Sequence, residues 1–368
     1  MSIHRLLVAK VVAETHDAHS IEFEVPAELA PTFTYKPGQF LTLRVPSERT
    51  GSVARCYSLC SAPHDDGPLR VAVKRTADGY ASNWLCDNAT PGMEIDVLVP
   101  AGIFTPKSVD VDMLLFAGGS GITPIMSILR SVLETGTGSV ALVYANRDAQ
   151  SVIFSSALAE LTRTYPDRLV VMHWLESVQG LPSAANLAAL TAPYASREVF
   201  VCGPGPFMDA VSEAMTSLGK GRREVHIEKF RSLPRNPFEV EAAQEEAEER
   251  AAIAEAEDLP VDDSAAAATG PAPAPADDGG TVTVELDGKT TELAWPADKK
   301  LLDVMLAAGL DAPYSCREGA CSACACRIVD GAVELAHNEV LDQEDLDDGL
   351  ILACQSMRRS AAVHITYE

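Results

Sequence analysis

Long apolar runs are missing from these 368 residues. No stretch approaches the roughly 18 apolar residues of a membrane span, so no membrane attachment is expected. The opening segment "MSIHRLLVAKVVAETHDAHS" has no extended apolar core either and does not read as a secretory signal. Basic residues are in deficit, 29 Lys and Arg against 53 Asp and Glu, for a formal charge of −24. A nucleic acid's phosphates would be repelled, whereas a protein with a basic docking face would not. The eight histidines show no metal-ligand spacing. Nine cysteines is an odd number. With no export signal the expected compartment is the cytoplasm, where disulfides rarely persist, so clustered thiols point to metal or redox chemistry.

Such a cluster is present. "YSCREGACSACACRI" holds Cys316, Cys321, Cys324 and Cys326. Zinc sites usually pair cysteines in short knuckles, but the first three here are spaced C-x4-C-x2-C, as in plant-type [2Fe–2S] ferredoxins. A fourth ligand is then needed from downstream, where Cys354 in "LILACQS" is available. Gly319, Ala320, Ser322 and Ala323 are small enough to bring backbone amides close to cluster sulfurs. Cys326 is left over and reads as a buried structural thiol.

The length suggests two or three domains. Charge is unevenly placed: residues 1–240 carry net −4, residues 241–280 net −11 and residues 281–368 net −9. The middle stretch is Ala/Glu-rich and then "AAAATGPAPAPADDGG", with almost nothing to bury. It reads as a semi-stiff tether that raises the mutual effective concentration of the modules it joins. The tail module opens with two alternating runs around "LDGK", a hairpin signature, then "KKLLDVMLAAGL" with helical spacing. Strand, helix, cysteine loop and late cysteine together resemble the β-grasp ferredoxin fold.

A [2Fe–2S] centre moves one electron at a time, so a nicotinamide donor implies a flavin to split the hydride. "GSVARCYSLCSAP" contains R-x-Y-S, Arg55, Tyr57 and Ser58, in an alternating strand. Arginine suits a phosphate, tyrosine packs along a ring or ribityl chain, and a serine hydroxyl suits flavin N5. "VAVKRTADGYASNWLCD" adds Lys74 and Arg75, then Gly79 and Ser82 at a helix start that suits a pyrophosphate. "DMLLFAGGSGITPIMSILRSVLE" is strand, Gly-rich turn and helix, with Gly118, Gly119 and Gly121 permitting close backbone approach. The following strand ends at Asn146, Arg147 and Asp148, where an adenosine ribose would lie. There Arg147 suits the 2′-phosphate of NADPH and Asp148 the 2′-hydroxyl of NADH. Cys202 ends a later strand, and the alternation of strands and helices over 112–225 implies a parallel sheet.

R-x-Y-S, G-G-S-G-I-T-P and C-G-P in this order resemble the ferredoxin–NADP reductase superfamily. With the ferredoxin tail, the whole chain apart from its tether resembles an oxygenase reductase. Its wider wording, in "RTGSVARCYSLCSAP", "HWLESVQGLP" and "CGPGPFMD", is similar to the reductase components of 3-ketosteroid 9α-hydroxylases of steroid degradation.

The resemblance implies a multidomain chain. Residues 1–108 would form an antiparallel β-barrel flavin domain and residues 109–238 an α/β parallel-sheet nucleotide domain. Residues 239–280 would be the linker and residues 281–368 a β-grasp (α+β) ferredoxin domain. FAD would be held by Arg55, Tyr57, Ser58, Lys74, Arg75, Gly79 and Ser82, with Ser58 near N5. The nicotinamide would lie against Gly119, Thr123, Cys202, Gly203 and Pro204, and Glu228 and Phe230 would lie over the flavin. "EKFRSLPRNPF" is more basic there than the family pattern leads one to expect. Cys316, Cys321, Cys324 and Cys354 would ligate the cluster. The implied donor is NADH, with NADPH the alternative, and the implied acceptor is a Rieske-type oxygenase served by a monomeric reductase. The competing functions are the reductase of a di-iron phenylacetyl-CoA epoxidase, a ferredoxin on a cofactor-free scaffold, and a stand-alone NAD(P)H diaphorase.

Overall fold

The computed structural model describes residues 3–64, 67–221, 224–230, 233, 236–238, 279–286, 288–310, 312–341 and 343–367. The tether at 239–280 lies outside them, apart from Gly279 and Gly280. The chain divides into two compact units, Met1–Leu233 and Pro234–Glu368.

Alternating apolar residues build the first sheet of the larger unit. Its strands are β1 (His4–Thr15), β2 (Ala18–Glu24), β3 (Phe40–Ser47), β4 (Gly51–Ser58), β5 (Leu69–Lys74) and β6 (Glu94–Ala101). All neighbours are antiparallel, in the order β4-β3-β6-β1-β2-β5. The two edges meet where Leu59 bridges Val71 and the Cys60 amide donates to the Arg70 carbonyl at 2.8 Å, so the sheet closes on itself as a barrel. Leu6, Val8, Ile21, Phe23, Leu41 and Leu43 fill it and are fully buried. Each contributes about 1.5–3 kcal/mol relative to exposure. Helix α1 (Tyr80–Asn88) packs Ala81 and Leu85 into that core.

The second sheet is parallel: β7 (Met113–Gly118), β8 (Val140–Asn146), β9 (Leu169–Leu175), β10 (Glu198–Cys202) and β11 (Val225–Glu228), ordered β11-β10-β7-β8-β9. Helices α2 (Ile122–Glu134), α3 (Ser155–Thr164), α4 (Glu176–Gln179), α5 (Ala184–Thr191) and α6 (Gly205–Ser217) supply its crossovers. Strands covered on both faces need near-continuous apolar runs, and every residue of β7 is buried. Ala18, Cys60, Ala72 and Phe104, from the barrel and the loop after it, share one apolar cluster with α2 and Phe200. That shared core explains why both sheets fall in one unit.

The smaller unit carries β12 (Thr281–Leu286), β13 (Lys289–Ala294), β14 (Ala325–Asp330), β15 (Val333–Leu335), β16 (Leu350–Leu352), β17 (Ser356–Arg358) and β18 (Ala362–Thr366). Five of these make a mixed sheet, β13-β12-β18-β14-β16, with the parallel pair β12–β18 near its middle. The β12–β13 hairpin turns at Gly288, φ +68°, and α7 (Leu301–Ala307) buries Leu301, Leu302 and Met305. Helix α8 (Gln343–Asp347) precedes β16. A hairpin and helix gripped by a mixed sheet is a β-grasp arrangement.

Candidate functional site

Pairing of β4 with β3 sets Ser58 opposite Phe40, Tyr57 opposite Leu41 and Arg55 opposite Leu43. Strand alternation therefore puts Arg55 and Tyr57 on one face and Ser58 on the other. Ser58 is buried, Arg55 donates to the Ala54 carbonyl at 2.7 Å, and burial raises the Tyr57 phenol well above its ordinary range. Past β5 the chain turns into α1, whose N-cap is Gly79 and which no side chain caps. Its first amides are the orphan donors that an anion takes. Ser82 Oγ accepts from the Thr76 amide at 3.1 Å, and Asn83 donates to the Thr76 and Gly79 carbonyls. Arg75 pairs with Asp87 at 2.7 Å. Arg75 and Ser82 thus brace the turn that presents those amides, and Asn83 joins them, a role that sequence reasoning missed.

The Gly-rich turn after β7 divides by what surrounds each glycine. A Cβ on Gly121 would sit 2.1 Å from the Cys202 carbonyl oxygen, and one on Gly118 would sit 2.8 Å from Pro204 Cδ. A Cβ on Gly203 would lie 3.0 Å from the Gly118 backbone. These three glycines let the turns after β7 and β10 pack together. Gly119 differs: its φ is +54°, and a Cβ there would meet only Lys74 Nζ, at 3.6 Å. Its backbone faces open space beside a cation, which suits a phosphate. The Gly119 carbonyl is fixed by the Tyr144 hydroxyl at 3.1 Å, and the Thr123 hydroxyl donates to the Ser120 carbonyl at 3.0 Å.

Parallel register places Cys202 beside both Ala117 and Glu228. Cys202 is buried, and burial, with the Glu228 charge added, pushes its thiol well up. Glu228 is half-buried by exposure, yet enough atoms crowd its carboxyl that desolvation pushes it up to about 8. Phe230, two residues on, is 50% exposed, an aromatic side chain just past the carboxyl end of β11. Arg147, just after β8, donates to Asp17 Oδ2 at 2.9 Å, and Lys74 Nζ is 3.8 Å from the same oxygen. Asp17 comes from the turn between β1 and β2, and no spacing in the sequence marks it.

In the smaller unit the loop before β14 and the segment after β16 bring Cys316, Cys321, Cys324 and Cys354 together, all buried. Sγ of Cys321 accepts from the Cys316 amide at 3.3 Å, and Sγ of Cys316 from the amides of Glu318 at 3.4 Å and Ala320 at 3.3 Å. Sγ of Cys324 accepts from the Cys354 amide at 3.5 Å. Hydrogen bonds with the Cys321 and Cys354 thiols, then from those amides, hold Cys316 far below its ordinary range. Among the described residues no three His, Cys, Asp or Glu side chains close on one point as a mononuclear centre requires. A two-iron cluster asks for two thiolates per iron, so the donor set fits it. Gln355, missed in the sequence, donates to Cys354 Sγ at 3.5 Å and to the Arg317 carbonyl at 2.7 Å. Cys326 is buried on β14, its thiol raised by burial.

Comparison with known proteins matches the same three regions. Residues 5–105 match the oxidoreductase FAD-binding domain, 115–213 the oxidoreductase NAD-binding domain and 284–358 the 2Fe-2S iron-sulfur cluster binding domain. The chain is 57% identical over 369 residues to the ferredoxin reductase component of 3-ketosteroid-9-alpha-monooxygenase of Mycobacterium tuberculosis (strain ATCC 25618 / H37Rv), covering 99% of this chain and 95% of that protein. Identity to one component of the 1,2-phenylacetyl-CoA epoxidase of Escherichia coli (strain K12) is 31%, covering 100% of this chain and 98% of that one. Phthalate dioxygenase reductase shares the fold at a TM-score of 0.53 and 23% identity, over 99% of this chain and 98% of that one. The chain belongs to the family of ferredoxin reductase components of 3-ketosteroid 9α-monooxygenases, oxidoreductases built from FAD-binding, NAD-binding and 2Fe–2S domains.

Proposed function

We propose that this family member draws electrons from NADH and delivers them to a Rieske-type oxygenase acting on 3-ketosteroids at C9. It would do so as a monomer in the cytoplasm, within steroid degradation. When bound, FAD takes hydride from the nicotinamide and the [2Fe–2S] cluster passes electrons on singly. What the chain contributes is position and field. The α1 amides and Arg55 hold the flavin phosphates, Tyr57 covers its side, and Ser58 stands near N5. Gly119 and Lys74 receive the dinucleotide phosphates, and Thr123, Cys202, Gly203 and Pro204 line the nicotinamide end. Glu228, with its raised carboxyl, holds a proton at the carboxyl end of β11, and Phe230 covers the flavin. Cys316, Cys321, Cys324 and Cys354 ligate the cluster, and the amides of 318 and 320 raise its potential. The domain limits 1–108, 109–238, 239–280 and 281–368 belong to the same proposal.

The observation that carries it is the joint presence, in one chain, of the Gly119–Lys74 cradle and four neighbouring buried thiols. The full-length identities, 57% against 31%, support the steroid oxygenase over the epoxidase as partner. A stand-alone diaphorase has no use for the thiol loop. Anaerobic titration of the purified holoprotein with NADH, followed by absorbance and low-temperature EPR, should bleach the flavin and raise an S = 1/2 signal. Flavin bleaching with a persistently oxidised cluster would refute the relay. Coupled turnover of a 3-ketosteroid with the cognate oxygenase tests the substrate.

A further inference from the structure

The two residues expected to choose between NADH and NADPH are both already engaged. The Asp148 carboxylate accepts from the Ser151 amide at 2.9 Å and the Ser151 hydroxyl at 2.8 Å, capping the short turn Ala149–Ser151. It is held in the fold and not extended toward a ribose. The Arg147 guanidinium is 59% exposed on its side chain but is turned onto Asp17, 130 positions earlier in the chain.

Asp17 is built to hold it. Its side chain is only 16% exposed and takes a hydrogen bond from the Thr15 hydroxyl at 2.8 Å. Three groups face Oδ2: the Arg147 guanidinium at 2.9 Å, the Lys74 ammonium at 3.8 Å and the His16 ring at 3.9 Å. Burial alone would raise this carboxyl, but the Thr15 hydroxyl and then the charges of Lys74, His16 and Arg147 outweigh it and keep it ionised. At the carboxyl end of the second strand of such a sheet, an arginine is the group that takes a ribose 2′-phosphate. Its planar fork matches phosphate oxygens two at a time, which needs the guanidinium free to turn.

We propose that Asp17 is the coenzyme-selecting residue: it clamps Arg147 away from the ribose and leaves a carboxylate where a 2′-phosphate would approach. NADPH must then break the Asp17–Arg147 pair and face a largely buried anion, while NADH brings no charge there and leaves the clamp closed. The clamp joins the barrel to the second strand of the parallel sheet, so the flavin-binding half of the unit sets the preference of the nucleotide-binding half. This inference rests on the reading of the chain as an NADH-dependent reductase.

The test uses the full-length holoprotein and anaerobic stopped-flow bleaching of its flavin by each coenzyme. Asp17→Asn, close in shape but uncharged, should raise the NADPH:NADH ratio of kcat/KM about tenfold, carried by a lower KM for NADPH. Asp17→Glu, which keeps the charge, should hold the wild-type ratio. Adding Arg147→Ala to Asp17→Asn should abolish the gain, and Arg147→Ala alone should move the ratio less than twofold. A merely structural Asp17 would shift both coenzymes together and leave the ratio fixed, which overturns the proposal. So does a gain that survives loss of Arg147, or a tenfold fall in the ratio for Arg147→Ala alone, the measurement that decides if Asp17→Asn does not fold. Wild-type flavin that neither coenzyme bleaches would instead overturn the reductase reading itself.

Discussion

The cysteine loop and the nucleotide crevice both offer backbone amides that suit a charged redox group, and they do it in opposite ways. In the loop, three ligand candidates lie within nine residues, and the chain leaves regular structure to turn its amides inward. Arg317, Gly319 and Ser322 all have positive φ, +57°, +77° and +54°. For Arg317 and Ser322 that conformation costs about 1–2 kcal/mol each. The crevice collects its groups from segments between Asp17 and Phe230, and nearly all stand at ends of regular strands and helices. Strain there falls on Asp78, φ +59°, just before α1, and Gly119 adds its own left-handed φ of +54°. A local site concentrates its cost in one loop, whereas a dispersed site spreads it over the tertiary packing that brings strand ends together.

Removing one group from the local site should have the largest effect. Cys354→Ser takes away the one ligand candidate supplied from outside the loop, along with the acceptor for Gln355. Iron and acid-labile sulfide should fall to a small fraction of wild type, the EPR signal should vanish, and the flavin should still bleach with NADH. Cys326→Ser, also buried, should keep its cluster. If the Cys326 variant loses iron as completely as the Cys354 variant, the assignment of ligands in this loop is wrong.

In the crevice, two glycines two residues apart should fail in different ways. Gly121→Ala drives a Cβ to 2.1 Å from the Cys202 carbonyl oxygen, a clash with backbone that no rotamer relieves. Its cost should be on the order of 3–5 kcal/mol, read as a lower urea midpoint of the holoprotein. Gly119→Ala meets no close atom and pays only for its left-handed φ, about 1–2 kcal/mol. It should instead raise KM for NADH several-fold, because the methyl group fills the space left for phosphate. The reverse ordering of the two stability losses would erase the distinction between a packing glycine and a cradle glycine.

This difference also governs what the sequence makes legible. The grouping of the candidate ligands Cys316, Cys321 and Cys324 can be read from spacing alone, since a loop's geometry is set by its own residues. The same holds for the β12–β13 hairpin around Gly288 and for the parallel sheet, whose buried strand β7 is a run of apolar residues. The roles of individual glycines cannot be read that way. Gly118, Gly119 and Gly121 look equivalent in "AGGSGITP", and only the turn after β10, some 80 residues on, separates them. Asp17 leaves no signal at all, because its partners Lys74 and Arg147 come from a different strand and a different sheet. Arg75 and Ser82 point the same way: the sequence offers them as phosphate contacts, and only the fold shows that they also brace the turn that offers α1's amides.

The smallest effect should come from Glu228, where the crevice holds a titratable group against burial. Its carboxyl is raised to about 8 by desolvation, so between the unfolded value near 4.5 and about 8 the folded protein binds a proton that the unfolded chain has lost. Stability must then decline as pH rises across that window and level off above it, opposite to the usual salt-bridged carboxylate. Glu228 is half-buried, so solvent screening limits the decline to about 1–2 kcal/mol. Glu228→Gln keeps the shape and removes the proton exchange, and its unfolding free energies at pH 5 and pH 8, read from urea titrations, should differ less than those of wild type by that amount. The same variant should flatten any limb near pH 8 in the rate of flavin bleaching by NADH, because the group that holds the proton beside Cys202 is gone. A wild-type stability that rises from pH 5 to 8 with an unchanged slope in Glu228→Gln would mean that the carboxyl is ionised throughout. The end of β11 would then act as a fixed negative charge beside Cys202.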